Sequence, residues 1–190
     1  MPSSFDLTIL VPIIVVPLVS ILKIRKALKG SKVNRTVIIV TSILFSIFAS
    51  YLIYNSFLIG IPIIFLPLSI ILFVSAQFFS YHYADRSLSF WKESDGSIYS
   101  RGALFIQIIF IISLVLRISV SIIFIGSASF YTQVEKYVQL VNQDPIILTS
   151  IIAADVLMIS SAGMVLGLNR RLLRRYALIE RGEETVKESK

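Results

Sequence analysis

Five apolar runs, at residues 7–22, 37–54, 61–79, 102–125 and 146–168, limit what this chain can fold into more than any other feature. Each is near the ~20 residues that a helix needs to cross a hydrocarbon core about 30 Å thick, the first being short. In lipid the backbone must satisfy its own hydrogen bonds, and an α-helix does so within one segment. The sequence therefore predicts an all-α, polytopic membrane protein built as a five-transmembrane-helix bundle. The stretches between the runs are too short for a separate soluble domain, so residues 1–178 read as one integral membrane domain. Residues 179–190 read as a short, charged, disordered cytoplasmic tail. Composition agrees, because 56% of residues are hydrophobic and isoleucine alone makes up about a sixth, far from soluble usage. No basic region precedes the first run and no small-residue cleavage site follows it, so it reads as a retained helix rather than a signal peptide.

The net charge of +7 would suit nucleic acid, but the charges sort by side of the membrane instead, and no nucleic-acid partner is expected. Lys23, Arg25, Lys26, Lys29, Lys32 and Arg35 lie between the first two spans without one acid, and Arg170, Arg171, Arg174 and Arg175 follow the last. The turn at 55–60 is uncharged, and the segment between the last two spans carries Glu135, Asp144 and only Lys136. By the positive-inside rule the amino terminus lies outside and the carboxyl terminus in the cytoplasm of a cell that carries this multi-pass protein in its membrane. The basic ends would face anionic lipid head groups.

Two runs carry the same proline pair, VPIIVVPLVSIL at 11–22 and IPIIFLPLSIIL at 61–72. Pro62 suits a first helical turn, whereas Pro12, Pro17 and Pro67 read as interior kinks that each free a carbonyl four residues back. Such carbonyls need partners, so these helices are expected to face protein. A gating or ligand-lining role is one reading of the repeat. Coincidence between Ile/Leu/Val-rich segments is preferred, because the second and fourth spans share little beyond aliphatic character.

Two charges sit deep in spans. Arg117 lies nine residues before Gly126, and Asp155 ten after Pro145, which at ~1.5 Å per residue puts both roughly 14 Å from the outer ends. A charge at that depth costs at least ~2.5–3.5 kcal/mol on insertion scales. An intramembrane Arg117–Asp155 ion pair between consecutive antiparallel helices is the simplest remedy, with Ser113 and Ser121 on the arginine's face to take further donors. The pair reads as a clasp in preference to a proton, quinone-like or anion site. Gln77 and Gln107 lie nearer the cytoplasmic ends and read as interfacial. Gly163 and Gly167, in GMVLG, have the small-xxx-small spacing that lets helices approach closely, within the chain or between copies.

The segment FWKESDGSIY predicts a tight hairpin at Asp95-Gly96, laid on the inner interface by its aromatic residues. Outside, FYTQVEKYVQLV predicts an interfacial amphipathic helix, and Asp144-Pro145 an N-cap and first helical residue for the last span. With no cysteine and one histidine, His82, the chain lacks the means for disulfide, thiolate, iron–sulfur or bis-histidine haem chemistry, and neither cofactor nor metal is expected.

Taken together, FWKESDGSIY, the span with Arg117, and AGMVLGLNRRLLRRY with Gly163, Met164, Arg170 or Arg171, and Tyr176 resemble the CcdC-like small integral membrane proteins associated with cytochrome c biogenesis, over about residues 80–178. The resemblance implies an accessory role beside haem or thiol-handling partners. The function expected is a non-enzymatic accessory or structural subunit of a membrane complex, held by other membrane subunits or by self-association. The alternative is a small transporter or ligand carrier using the Arg117/Asp155 region and the proline-kinked first and third spans.

Overall fold

Helices dominate the computed structural model of the chain, which describes residues 24–25, 27–58, 65–125, 144–184 and 187–188. The long helices are α1 (Arg35–Leu58), α2 (Phe65–Ser87), α3 (Leu104–Ile125) and α4 (Pro145–Glu180). Four strands accompany them: β1 (Ser31–Lys32), β2 (Ser89–Lys92), β3 (Ile98–Arg101) and β4 (Lys187–Glu188).

Local chemistry sets the helix starts. Asn34 Oδ1 accepts from the Val37 N–H at 3.3 Å at the head of α1. Asp144 Oδ1 accepts from the Ile146 N–H at 2.8 Å, and Pro145, which has no N–H to leave unpaired, opens α4. α4 is the hub, for α1, α2 and α3 each pack along it while α1 and α2 barely meet. Its buried face includes Ile151, Met158 and Ile159, which join Leu52, Phe65 and Phe110 in the main apolar core.

Polar groups lie inside and aliphatic ones outside. Ser56, Ser69, Ser80, Ser113, Arg117 and Asp155 are buried, whereas Val37, Val40, Ile43, Leu44 and Ile47 of α1 are exposed, as are Ile70, Ile71, Val74 and Phe78 of α2. A soluble monomer does not expose so continuous an apolar surface. Three described helices are long and apolar enough to cross a membrane, within Arg35–Tyr54, Phe65–Ser87 and Pro145–Glu180; the apolar part of α3, Leu104–Val120, is shorter. Of the five spans expected, three are thus carried by described helices long enough to cross, the fourth run falls in the shorter α3, and the run at 7–22 lies outside the described residues. At ~1.5 Å per residue the 36 residues of α4 reach roughly 54 Å, so α4 continues well past the 146–168 run and carries its arginines beside the sheet.

The sheet gathers at one end of the bundle, in the order β1-β3-β2-β4. β2 and β3 form an antiparallel hairpin, with Trp91 opposite Tyr99 and the two rings stacked at 5.7 Å. The turn falls at Asp95-Gly96, where the tight hairpin was expected. Glu93 N–H donates to Ser97 O at 3.0 Å and Gly96 N–H to Glu93 O at 2.9 Å, leaving a three-residue loop, 94–96, with Gly96 in the left-handed region at φ 80. The tail, expected to be disordered, instead supplies β4, which runs parallel to β2 with Trp91 opposite Lys187. Some strand thus joins a fold expected to be helical beyond one hairpin. The interfacial helix expected at 130–141, the prolines Pro12 and Pro17, and Pro62 all lie outside the described residues.

Asp95 locks the hairpin loop by accepting the Ser97 N–H and hydroxyl, each at 2.8 Å, and these bonds hold its carboxyl below the usual carboxylate range. A depressed pKa means that the contribution is complete above the ordinary carboxylate value and fades as pH falls through the folded one. Amide hydrogen exchange at Ser97, corrected for its intrinsic pH dependence, should stay level down to the ordinary carboxylate range and quicken only below it. In Asp95→Ala it should be several-fold faster at neutral pH, with no acid step.

Candidate functional site

Three helices converge on one buried polar knot. α3 supplies Arg117 and α4 supplies Asp155, with Arg117 Nε 2.7 Å from Asp155 Oδ1 and the two side chains 2% and 1% exposed. The N–H is not aligned on that oxygen, so charge, not a directed hydrogen bond, joins the two atoms. From α1, Ser56 Oγ lies 3.1 Å from Asp155 Oδ2 and 2.8 Å from the Leu52 carbonyl oxygen, so one hydroxyl proton serves two acceptors. Ser113, expected to serve the arginine as an acceptor, donates its own proton to the Ile109 carbonyl at 2.8 Å, and the Ser121 side chain lies outside the described residues. Because Ser56 stands near the far end of α1, while Asp155 lies ten residues into α4, the two helices are staggered. Opposite charges in contact, both shut away from solvent, make a clasp in which the cation and the acid neutralise each other.

Gly163 and Gly167 lie against α2 of the same chain. A Cβ on Gly163 would fall 2.5 Å from the Phe73 carbonyl oxygen, and one on Gly167 would strike Ser80 Oγ and the Gln77 carbonyl. On the other side, α2 turns Ser69, Ala76, Ser80 and Ala84 inward. Small residues on both helices let the backbones approach closely, which is how helices pack in lipid without a hydrophobic force between them. The GMVLG face is consequently occupied within the chain. Pro67, read as an interior kink facing protein, is exposed in the first described turn of α2.

Three of the four arginines between residues 170 and 175 are also engaged. Arg171 pairs with Asp85 and lies 5.3 Å over the Tyr81 ring, while Arg174 Nη1 donates to Tyr81 Oη at 2.7 Å. Arg175 pairs with Glu184, donates to the Leu88 carbonyl at 3.3 Å and covers the Phe90 ring at 4.8 Å. His82 is exposed on α2.

Sequence reasoning missed a cleft of about 420 Å³ at the sheet end, between α1 and α3 with α4 as its floor. Its mouth carries Lys32, Asn34 and Arg101, and its depth is lined by Thr41, Phe45, Gln107, Phe110, Leu168 and Asn169. Asn169 Nδ2 donates to Ser42 Oγ at 3.1 Å, tying floor to wall. The signal available was Thr41, Gln107 and Asn169 near the basic ends of three apolar runs; it gives each residue but not their convergence.

In comparisons with family models, curated proteins and solved structures, nothing matches this chain.

Removing one partner from a buried ion pair strands the other charge, at a cost of about 3–5 kcal/mol, whereas replacing both by apolar groups is often neutral. Arg117→Met and Asp155→Leu should each lose stability on that scale in mixed-micelle denaturation, and the double variant should recover most of it. A loss in the double variant equal to the sum of the two single losses would show the two side chains to be uncoupled. Gly167→Ala, which forces a methyl into the α2 backbone, should cost about 1–3 kcal/mol, against little for Leu157→Ala on the exposed face of α4.

Proposed function

We propose that the chain is a multi-pass membrane protein that serves as a non-enzymatic accessory or structural subunit of a membrane complex. The observation that carries this reading is the closed clasp. Arg117 and Asp155, the two charges a translocation path would use, spend their charge on each other across a 2.7 Å contact while also linking α3 to α4. The aliphatic outer faces of α1, α2 and α3 remain for lipid or a partner subunit. The reading of the protein as non-enzymatic rests on the sequence, which has no cysteine and one histidine. The placement beside haem or respiratory components rests on the CcdC-like resemblance of residues 80–178.

Five spans with the amino terminus outside remain the topology proposed. α1 begins and α4 ends at the sheet, so the basic stretch before α1 and the arginines of α4 fall at the same end. The positive-inside rule assigns that end to the cytoplasm of the cell membrane. A second reading, a small-ligand carrier, is favoured by the cleft beside the basic end, although no part of the Arg117–Asp155 clasp lines it.

Gentle solubilisation of the tagged chain from its native membrane, followed by native mass analysis, tests the proposal. A second membrane protein should co-purify at fixed stoichiometry and stay bound to the Arg117→Met/Asp155→Leu double variant. Recovery of the folded chain alone across several mild detergents would overturn the accessory role.

A further inference from the structure

We propose that the cleft between α1 and α3 is a binding site for one anionic phospholipid, its phosphate at the mouth and an acyl tail running inward beneath Thr41 to Phe45. This goes beyond a diffuse attraction of basic ends to a charged surface, and it rests on the membrane-spanning part of the reading above but not on the accessory role.

The lining is graded along the axis of α1. Ser31, Lys32, Asn34 and Arg101 stand at the mouth, and among the described residues no acidic one belongs to the lining, so the entrance favours an anion. α1 begins at Arg35 and α3 at Leu104, directly beyond the lining residues Asn34 and Ala103. The positive ends of two long helix dipoles therefore add to the two side-chain cations. Inward the lining carries no charge and is mostly apolar, with Ile38, Val165 and Leu168 beside the neutral Thr41, Gln107 and Asn169, and Phe45 and Phe110 meet edge to face at 5.1 Å at its deep end. From Asn34 to Phe45 is eleven residues, roughly 16 Å at the helical rise. The volume of about 420 Å³ lies within the roughly 300–1,000 Å³ range of small-molecule sites. A head with negative charge and a tail without polarity match the two ends of this gradient, which a free phosphate or a neutral lipid does only by half.

Native mass analysis of the purified full-length chain, titrated in micelles with phosphatidylglycerol or phosphatidylcholine, tests the assignment without any partner. One phosphatidylglycerol should be retained preferentially, and Lys32→Glu/Arg101→Glu should weaken its retention at least tenfold. Arg86→Glu/Lys92→Glu, the same charge change at exposed positions outside the cleft, should leave it intact. Thr41→Trp, which fills the cleft at unchanged charge, should abolish it, and a phosphatidylglycerol carrying a photoreactive tail should cross-link to the peptides containing Phe45 and Phe110. Equal loss in the two charge-reversed pairs would overturn the site, as would equal retention of the two lipids or full retention by the folded Thr41→Trp protein. Cross-links confined to the outer helix faces, or a cleft filled by residues 1–23 or a second copy, would overturn it too. Failure of a partner to co-purify leaves these readouts untouched, so the two proposals fail separately.

Discussion

The contact between Arg117 and Asp155 is the constraint on which the arrangement of helices turns. Neither group is tolerable alone at such burial, because an ion taken out of water without its counter-charge costs several kcal/mol. Together they form a net-neutral unit, and the Ser56 hydroxyl extends it to a third helix. The contact fixes which faces of α3 and α4 meet and at what axial level. Apolar surfaces alone would leave both open, since isoleucine ridges slide past one another at little cost.

Around that fixed point the remaining packing is made of small residues. Gly163 and Gly167 let α2 lie against α4 at backbone distance, and Ser69, Ala76, Ser80 and Ala84 answer them. α4 thereby contacts each of the other long helices. Beyond the bundle, Arg171, Arg174 and Arg175 brace α4 against Tyr81, Asp85, Leu88 and Glu184, so charges that look like a surface cluster act as struts between α4, the end of α2 and the tail.

Much of this was legible in the sequence for a simple reason: a charge inside an apolar run has few possible remedies. Arg117 and Asp155 stand at equal depth in consecutive spans, and they meet. Asp144-Pro145 is a local signature and caps α4 as local signatures do. What sequence could not give was anything that depends on strand pairing at a distance. The hairpin at Asp95 was visible, but its extension by Ser31–Lys32 on one side and Lys187–Glu188 on the other joins segments far apart in the chain, and two-residue strands carry no period to read. The cleft was hidden likewise, because Thr41, Gln107 and Asn169 each pass for interfacial polar residues until three helices bring them together. Small-xxx-small spacing, finally, names a close approach without naming the partner helix, which proved to be α2.

Because α4 is the hub and follows α1, α2 and α3 in the chain, the order of biosynthesis acquires a physical meaning. α1, α2 and α3 leave the ribosome before the element that holds them together exists, and the guanidinium on α3 is made about forty residues ahead of its counter-ion. During that interval water has to carry the charge that Asp155 later answers. Assembly therefore waits on the synthesis of α4, and a nascent polypeptide stalled before Asp155 holds a guanidinium whose counter-ion has not yet been made.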